Sequence, residues 1–272
     1  MRKAIITILV IISFTFSVQN LSSAALDEFT VDGDTLALWH MNGTVGSAAK
    51  KDNAEGTSAI DLTEVNTPGA VNGFDGASNG SYDFTPASNH SVTAADHANV
   101  SFPNQDFSIE FWIYFDALPS SGTEIDPISK WGGGQEAYLF YLLNSAGTYS
   151  LTLNVYDGST LEGIGATWSP SPSTGQWYYL VATFDNTANE GKWYVNGQQM
   201  GSTSTITANG VRDTTSILVF GENNAGGSPL DGRMDEIRFS NKTRTATEIE
   251  DYYEGVAPTD DPKSKTGIIW IE

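Results

Sequence analysis

Three groups of side chains in this sequence have types and spacings that could do chemistry. Glu124-Ile125-Asp126 places two carboxyls at positions i and i+2. One strand face can present such a pair about 5–5.5 Å apart, the separation of the acid and nucleophile in a retaining glycosidase. The histidines form a second group. His90 and His97 stand seven apart in a polar segment and His40 follows Trp39, and none belongs to a His-Glu-x-x-His metal motif. Each reads as a structural or solvated histidine. No Gly-x-Ser-x-Gly elbow accompanies the many serines, and with no cysteine there can be no thiol nucleophile, thiolate zinc site or disulfide. The third group is aromatic. Trp131 precedes Gly132-Gly133-Gly134 and Trp168 precedes Ser169-Pro170, next to loops rather than inside alternating runs. Exposed indoles there could stack on the C–H faces of sugar rings while Asn, Asp and Gln bind the hydroxyls; the other reading of each is a cap over the core.

Charge limits the partners. The 272 residues include 33 acidic and 13 basic side chains, a net charge of -20, and Lys and Arg are too scattered to form a basic patch. Nucleic acid and anionic membrane surfaces are therefore excluded, and sulfated or uronic-acid polymers would be repelled unless calcium bridged them. Arg2 and Lys3, a largely apolar run over 5–18 and the small residues Ser22, Ser23, Ala24 and Ala25 follow the order of a secretory signal peptide. Its apolar stretch spans about 21 Å as a helix, short of a bilayer core of about 30 Å. Cleavage after Ala25 is expected, leaving a secreted protein with no membrane insertion. Loss of Arg2 and Lys3 takes the net charge from -20 to -22.

The elements that must position these groups are strands. Phe107, Ile109, Phe111, Ile113 and Phe115 alternate with Ser108, Glu110, Trp112 and Tyr114, and Tyr149, Leu151, Leu153 and Val155 alternate likewise up to a turn at Asp157-Gly158. Asn196-Gly197 between two short apolar runs predicts a type I′ hairpin. Runs over 138–143, 177–184 and 216–220 lack clean alternation, so both faces of those strands are expected to be covered. Thr245 and Glu248 form a capping box that opens the one convincing helix, ending at Gly255. The class is all-β: a two-sheet antiparallel sandwich with one short C-terminal helix. Residues 26–255 read as one domain, followed over 256–272 by a polar linker and an apolar tail that could add an edge strand.

Four segments resemble the laminin-G-like, concanavalin A-like jelly-roll domains of secreted bacterial proteins: LALWHMNG (36–43), DFSIEFWIYF (106–115), the pair QWYYLVATFD (176–185) and KWYVNGQQ (192–199), and LDGRMDEIRFSNKTRTATEIEDYY (230–253). The resemblance implies a jelly-roll sandwich of about a dozen strands. It is usually without catalysis, binds glycans or proteins, and often holds one calcium. Carried over residue by residue, the calcium ligands would be Asp235, Asn42, Asp52 and Asn53, with Asn42 standing where the family often has an acid and so lowering the charge of the site. Glu236, next to Asp235, reads as a surface partner of Arg238 on the same strand face. Glucanases of the superfamily carry a further Glu shortly after a pair like Glu124 and Asp126. Here Pro127-Ile128-Ser129-Lys130 follows, so the pair reads as an acidic loop and the protein as a non-enzyme. The expected partner is a glycan or polysaccharide, or alternatively a cell-surface protein.

Overall fold

The computed structural model describes residues 28–41 and 60–255. Two antiparallel sheets stack face to face. Their strands, in chain order, are β1 (Thr35–Trp39), β2 (Leu62–Val65), β3 (Gly69–Val71), β4 (Ser81–Phe84), β5 (Ser91–Ala94), β6 (Phe107–Phe115), β7 (Glu124–Lys130) and β8 (Tyr138–Ser145). They continue with β9 (Thr148–Tyr156), β10 (Leu161–Thr167), β11 (Trp177–Asp185), β12 (Glu190–Val195), β13 (Gln198–Thr205), β14 (Leu218–Phe220) and β15 (Gly232–Ser240), followed by helix α1 (Ala246–Tyr253). Sheet I runs β13-β12-β11-β6-β15-β4-β3 with β1 also paired to β15, and sheet II runs β10-β9-β8-β7-β14-β5-β2. The all-β sandwich with one short helix is the fold that the alternating pattern implies.

The period-two pattern of β6 does what its spacing predicts. Phe107, Ile109, Phe111, Ile113 and Phe115 all enter the inter-sheet core, where Phe111 meets Phe140 edge-on at 5.5 Å and Phe140 meets Trp193 at 5.3 Å. Offset and edge-on rings of this kind gain about 0.5–1.5 kcal/mol beyond the area they bury. The predicted hairpin is present too, with Asn196 at φ 50° and Gly197 at φ 81° between β12 and β13. In α1 the Glu248 amide donates to Thr245 Oγ1 at 3.2 Å and the Thr245 amide donates to Glu248 Oε2 at 2.8 Å, which completes the capping box.

Sheet I is covered on its outer face as well. Phe29, Leu38, Trp112, Tyr179, Val181, Tyr194 and Ile249 form a second apolar cluster beneath α1. This is why β11 is buried on both sides, as its run of apolar residues suggests. The run over 138–143 behaves otherwise: only Tyr138, Phe140 and Leu142 enter the core, and Leu139, Tyr141 and Leu143 stay half-buried on the far side. The expectation of two covered faces fails there because nothing comparable to α1 packs over β8.

Gly221 shows how tightly the sheets meet. It sits at φ 94°, and a Cβ there would stand 2.3 Å from Phe84 Cδ1. We expect Gly221→Ala to lower stability by about 2–4 kcal/mol, from strain and overpacking together. The measurement is a shift of the urea midpoint without a change in the slope of unfolding.

Candidate functional site

The outer face of sheet II is built from strand register. Leu139, Tyr141 and Leu143 of β8 lie opposite Asn154, Thr152 and Ser150 of β9, which lie opposite Gly163, Gly165 and Thr167 of β10. One strand offers an apolar row with a phenol at its centre. The next offers two hydroxyls and an amide, and the third offers glycines that raise no wall. A methyl at Gly165 would meet only Thr152 Oγ1, at 3.9 Å. The result is a shallow trough, apolar along one side and hydrogen-bonding along the other.

Trp131 stands at one end of this trough. It follows β7 where Lys130 pairs with Tyr138, is half-buried, and donates its amide to Asn224 Oδ1 at 3.4 Å. Trp168 does not join it. With 3% exposure it packs edge-on against Tyr178 at 4.9 Å and Phe115 at 6.1 Å, so it caps the core and offers no platform. At the other end of the trough Leu143 pairs with Glu124, and both border a cleft of about 670 Å³.

Glu124 and Asp126 form part of strand β7, not an exposed loop, and the two carboxyls have different surroundings. Ile125 faces the core, a bulge follows between Ile125 and Ile128, and Asp126 lies beneath the loop 221–230 with 1% exposure. Its Oδ2 accepts from Asn223 Nδ2 at 2.9 Å and its amide donates to the Ser228 carbonyl at 2.8 Å, while Oδ1 has no partner. Burial, reinforced by Glu124 and only partly offset by Asn223, pushes this carboxyl up to about 7. Ile128, two positions on, is fully buried in the core, so the strand supplies no third carboxyl.

A second candidate site lies at the bulge in β15, where Asp235 still pairs with Trp112 of β6. Asp235, 2% exposed, accepts from the Phe74 amide at 3.0 Å and the Glu236 amide at 2.8 Å. Burial and the nearby Glu236 and Asp75 carboxylates raise it to about 9 against the pull of those amides. At the point where a Cβ on Gly73 would stand, Asp235 Oδ2, the Gly80 carbonyl and Asp75 Oδ1 converge at 2.6, 2.9 and 3.1 Å. Among the described residues no Lys or Arg pairs with either carboxylate. Asn42, Asp52 and Asn53 lie outside the described residues. Asp75, which has no motif around it, was not legible as their companion.

Glu236 is not the surface partner of Arg238. A bulge between Asp235 and Arg238, with Glu236 at φ 46°, breaks the strand alternation and buries Glu236 completely. It accepts from the Phe29 amide at 2.6 Å and lies 2.6 Å from His40 Nδ1, with Glu28 Oε2 4.0 Å from the same nitrogen. These three side chains are close enough to share an ion. The other histidines are structural: His90 Nδ1 accepts from the Thr85 amide at 3.2 Å, and His97 Nδ1 from the Asn99 amide at 3.1 Å.

Sandwich, registers and sites together define a lectin-like jelly roll, and the sequence match agrees. Residues 86–250 match the laminin G type of the concanavalin A-like lectin/glucanases superfamily, and the chain belongs to that family. No curated protein matches it in sequence. Among solved structures it is similar to the binding domain of Paraclostridial Mosquitocidal Protein 1, with TM-score 0.60 and 18% identity over 81% of this chain and 52% of that one. It is also similar to the botulinum neurotoxin DC binding domain solved with rat synaptotagmin II, with TM-score 0.60 and 11% identity over 82% and 51%. A third is a botulinum neurotoxin type C structure whose cell entry depends on two ganglioside molecules, with TM-score 0.57 and 14% identity over 83% and 52%. The chain spans about half the length of each, and at these identities the likeness is one of fold.

The Asp126 environment predicts a pH dependence. Its carboxyl keeps a proton up to about 7 in the folded state but loses it near its ordinary value of 3.8 when unfolded. The stability this group contributes is therefore fully present below about pH 4 and lost as pH rises through 7. Asp126→Asn should gain on the wild type over that window by about 2–4 kcal/mol, measured by urea unfolding at pH 4 and pH 8. Parallel pH curves for the two proteins would rule out this account.

Proposed function

We propose that this protein is an exported, non-catalytic glycan-recognition module whose binding surface is the outer face of sheet II. The observation that carries the reading is the trough itself, with Tyr141 between Leu139 and Leu143 and facing Thr152, Asn154 and Ser150. A sugar ring has an apolar C–H face and a rim of hydroxyls, and this surface offers the complement of both. The pairing of Glu124 with a buried Asp126, followed by an inward Ile128, supports binding without hydrolysis. Gangliosides named for the type C neurotoxin lend the same direction by analogy, although that chain is twice as long. Synaptotagmin, present with the DC neurotoxin, favours the protein-partner alternative. A glycan array separates the two readings. Tyr141→Ala should abolish array binding with little change in stability, because the side chain lies outside the core. Array silence from a folded protein would sink the glycan reading.

Calcium is part of the proposal. Asp235 Oδ2, Asp75 Oδ1 and the Gly80 carbonyl are hard oxygen donors gathered beside Gly73, and among the described residues no Lys or Arg pairs with either carboxyl. Bound calcium would displace the proton that Asp235 holds and tie the loop 72–80 to β15. We expect added calcium to raise the melting temperature, since a ligand held only by the folded state stabilises it by mass action. Asp75→Asn should remove the shift while leaving the calcium-free melting temperature nearly unchanged. A calcium-independent melting temperature in the wild type would refute the site.

A further inference from the structure

We propose that the cleft at the Leu143 end of the trough is a subsite for a protonated amine, so that the preferred glycan carries amino-sugar residues with free ammonium groups. This rests on the glycan reading above and adds the chemical class of the ligand. The cleft, about 670 Å³, lies between the strand ends of β6 and β7 and the loop that precedes β15. Pro86, Leu118, Pro119 and Pro229 give it apolar walls, and Glu124 and Asp231 are its only charged lining residues.

Both carboxylates are unengaged. Among the described residues neither Glu124 nor Asp231 accepts a hydrogen bond at its side chain or pairs with a cation. Arg233, two positions after Asp231, does not line the cleft: it faces Asp83 at 3.8 Å and Asp116 at 3.7 Å, with its guanidinium 4.4 Å from the centre of the Tyr114 ring. Two carboxylates therefore border one concavity, and no base offsets them within it. Low-dielectric walls focus such a field on whatever enters.

The position selects the ligand. Leu143 belongs both to the trough and to the cleft lining, so a chain of sugar rings laid along Leu139 and Tyr141 would bring its next ring to Glu124. A neutral sugar would leave both carboxylates desolvated and unpaired. An ammonium group would satisfy them with charge-assisted hydrogen bonds, which are about twice as strong as neutral ones. Uronic acids and sulfate esters would be repelled.

The test uses the β-1,4-linked glucosamine tetramer, its fully N-acetylated and neutral counterpart, and titration calorimetry at pH 6 and low salt. The wild type should bind the cationic tetramer roughly tenfold more tightly than the neutral one. In the double variant Glu124→Gln, Asp231→Asn, affinity for the cationic tetramer should fall to that for the neutral one, and neutral affinity should stay unchanged. Tyr141→Ala should weaken both. Equal wild-type affinity for the two tetramers, or a preference that survives the double variant, overturns the amine subsite and leaves the glycan reading standing. If the folded wild type binds neither tetramer and no other glycan, the reading on which the subsite rests fails with it.

Discussion

Glu110 is a carboxylate with no exposure at the middle of β6, and the outer layer of sheet I is organised around neutralising it. Arg238 of β15 grips it with two bonds of 2.8 and 2.9 Å, Arg244 adds a third at 2.7 Å, and the Tyr179 hydroxyl of β11 donates at 2.5 Å. Burial alone would raise the Glu110 carboxyl, but the two guanidinium groups hold it below its ordinary value. Three central strands and the segment leading into α1 are thereby fixed to one anion. Removing one partner from such a buried set commonly costs about 3–5 kcal/mol, because a charge is left stranded. The network reaches outward as well: Arg244 pairs with Asp32 at 2.8 Å, and the Arg238 guanidinium lies 4.0 Å from the Phe29 ring centre. The chain before β1 and the turn after β15 are both held in place by the same charges.

With sheet I closed in this way, the two outer faces of the sandwich differ in cover and in chemistry. Sheet I has its outer face covered by a helix, an N-terminal strap and a paired charge cluster. Sheet II leaves Leu139, Tyr141 and Leu143 half-exposed beside hydroxyls and glycines, and places unengaged acids at one end. An acidic protein can bind neutral or cationic ligands on such a face while its wider field turns anions away. The charge of -20 thus bears on selectivity as well as on solubility.

Much of the architecture was legible in the sequence because it depends on local pattern. The alternation in β6, the Asn196-Gly197 turn and the Thr245 capping box each specify their element within a few residues, and all three are present. The misreadings arose where distant segments decide. Leu139 and Tyr141 were expected to be covered, since apolar residues do not reveal whether another layer packs above them. Trp168 looked loop-borne, yet it turns onto Phe115 and Tyr178. Glu236 was placed by an unbroken alternation, and the bulge that reverses it shows only as a left-handed φ. Asp75 approaches Asp235 across 160 residues of chain, and no spacing rule connects them.

The strap formed by Phe29 has one further consequence, for orientation. Its ring stacks on Tyr252 with centroids 4.2 Å apart, so the first and last described segments meet on the outer side of sheet I. The trough lies on the opposite side of the sandwich, on the outer face of sheet II. Both ends of the described chain therefore sit behind the sandwich, with the sheet II face pointing away from them. Such placement leaves the trough free of steric shadow from those ends.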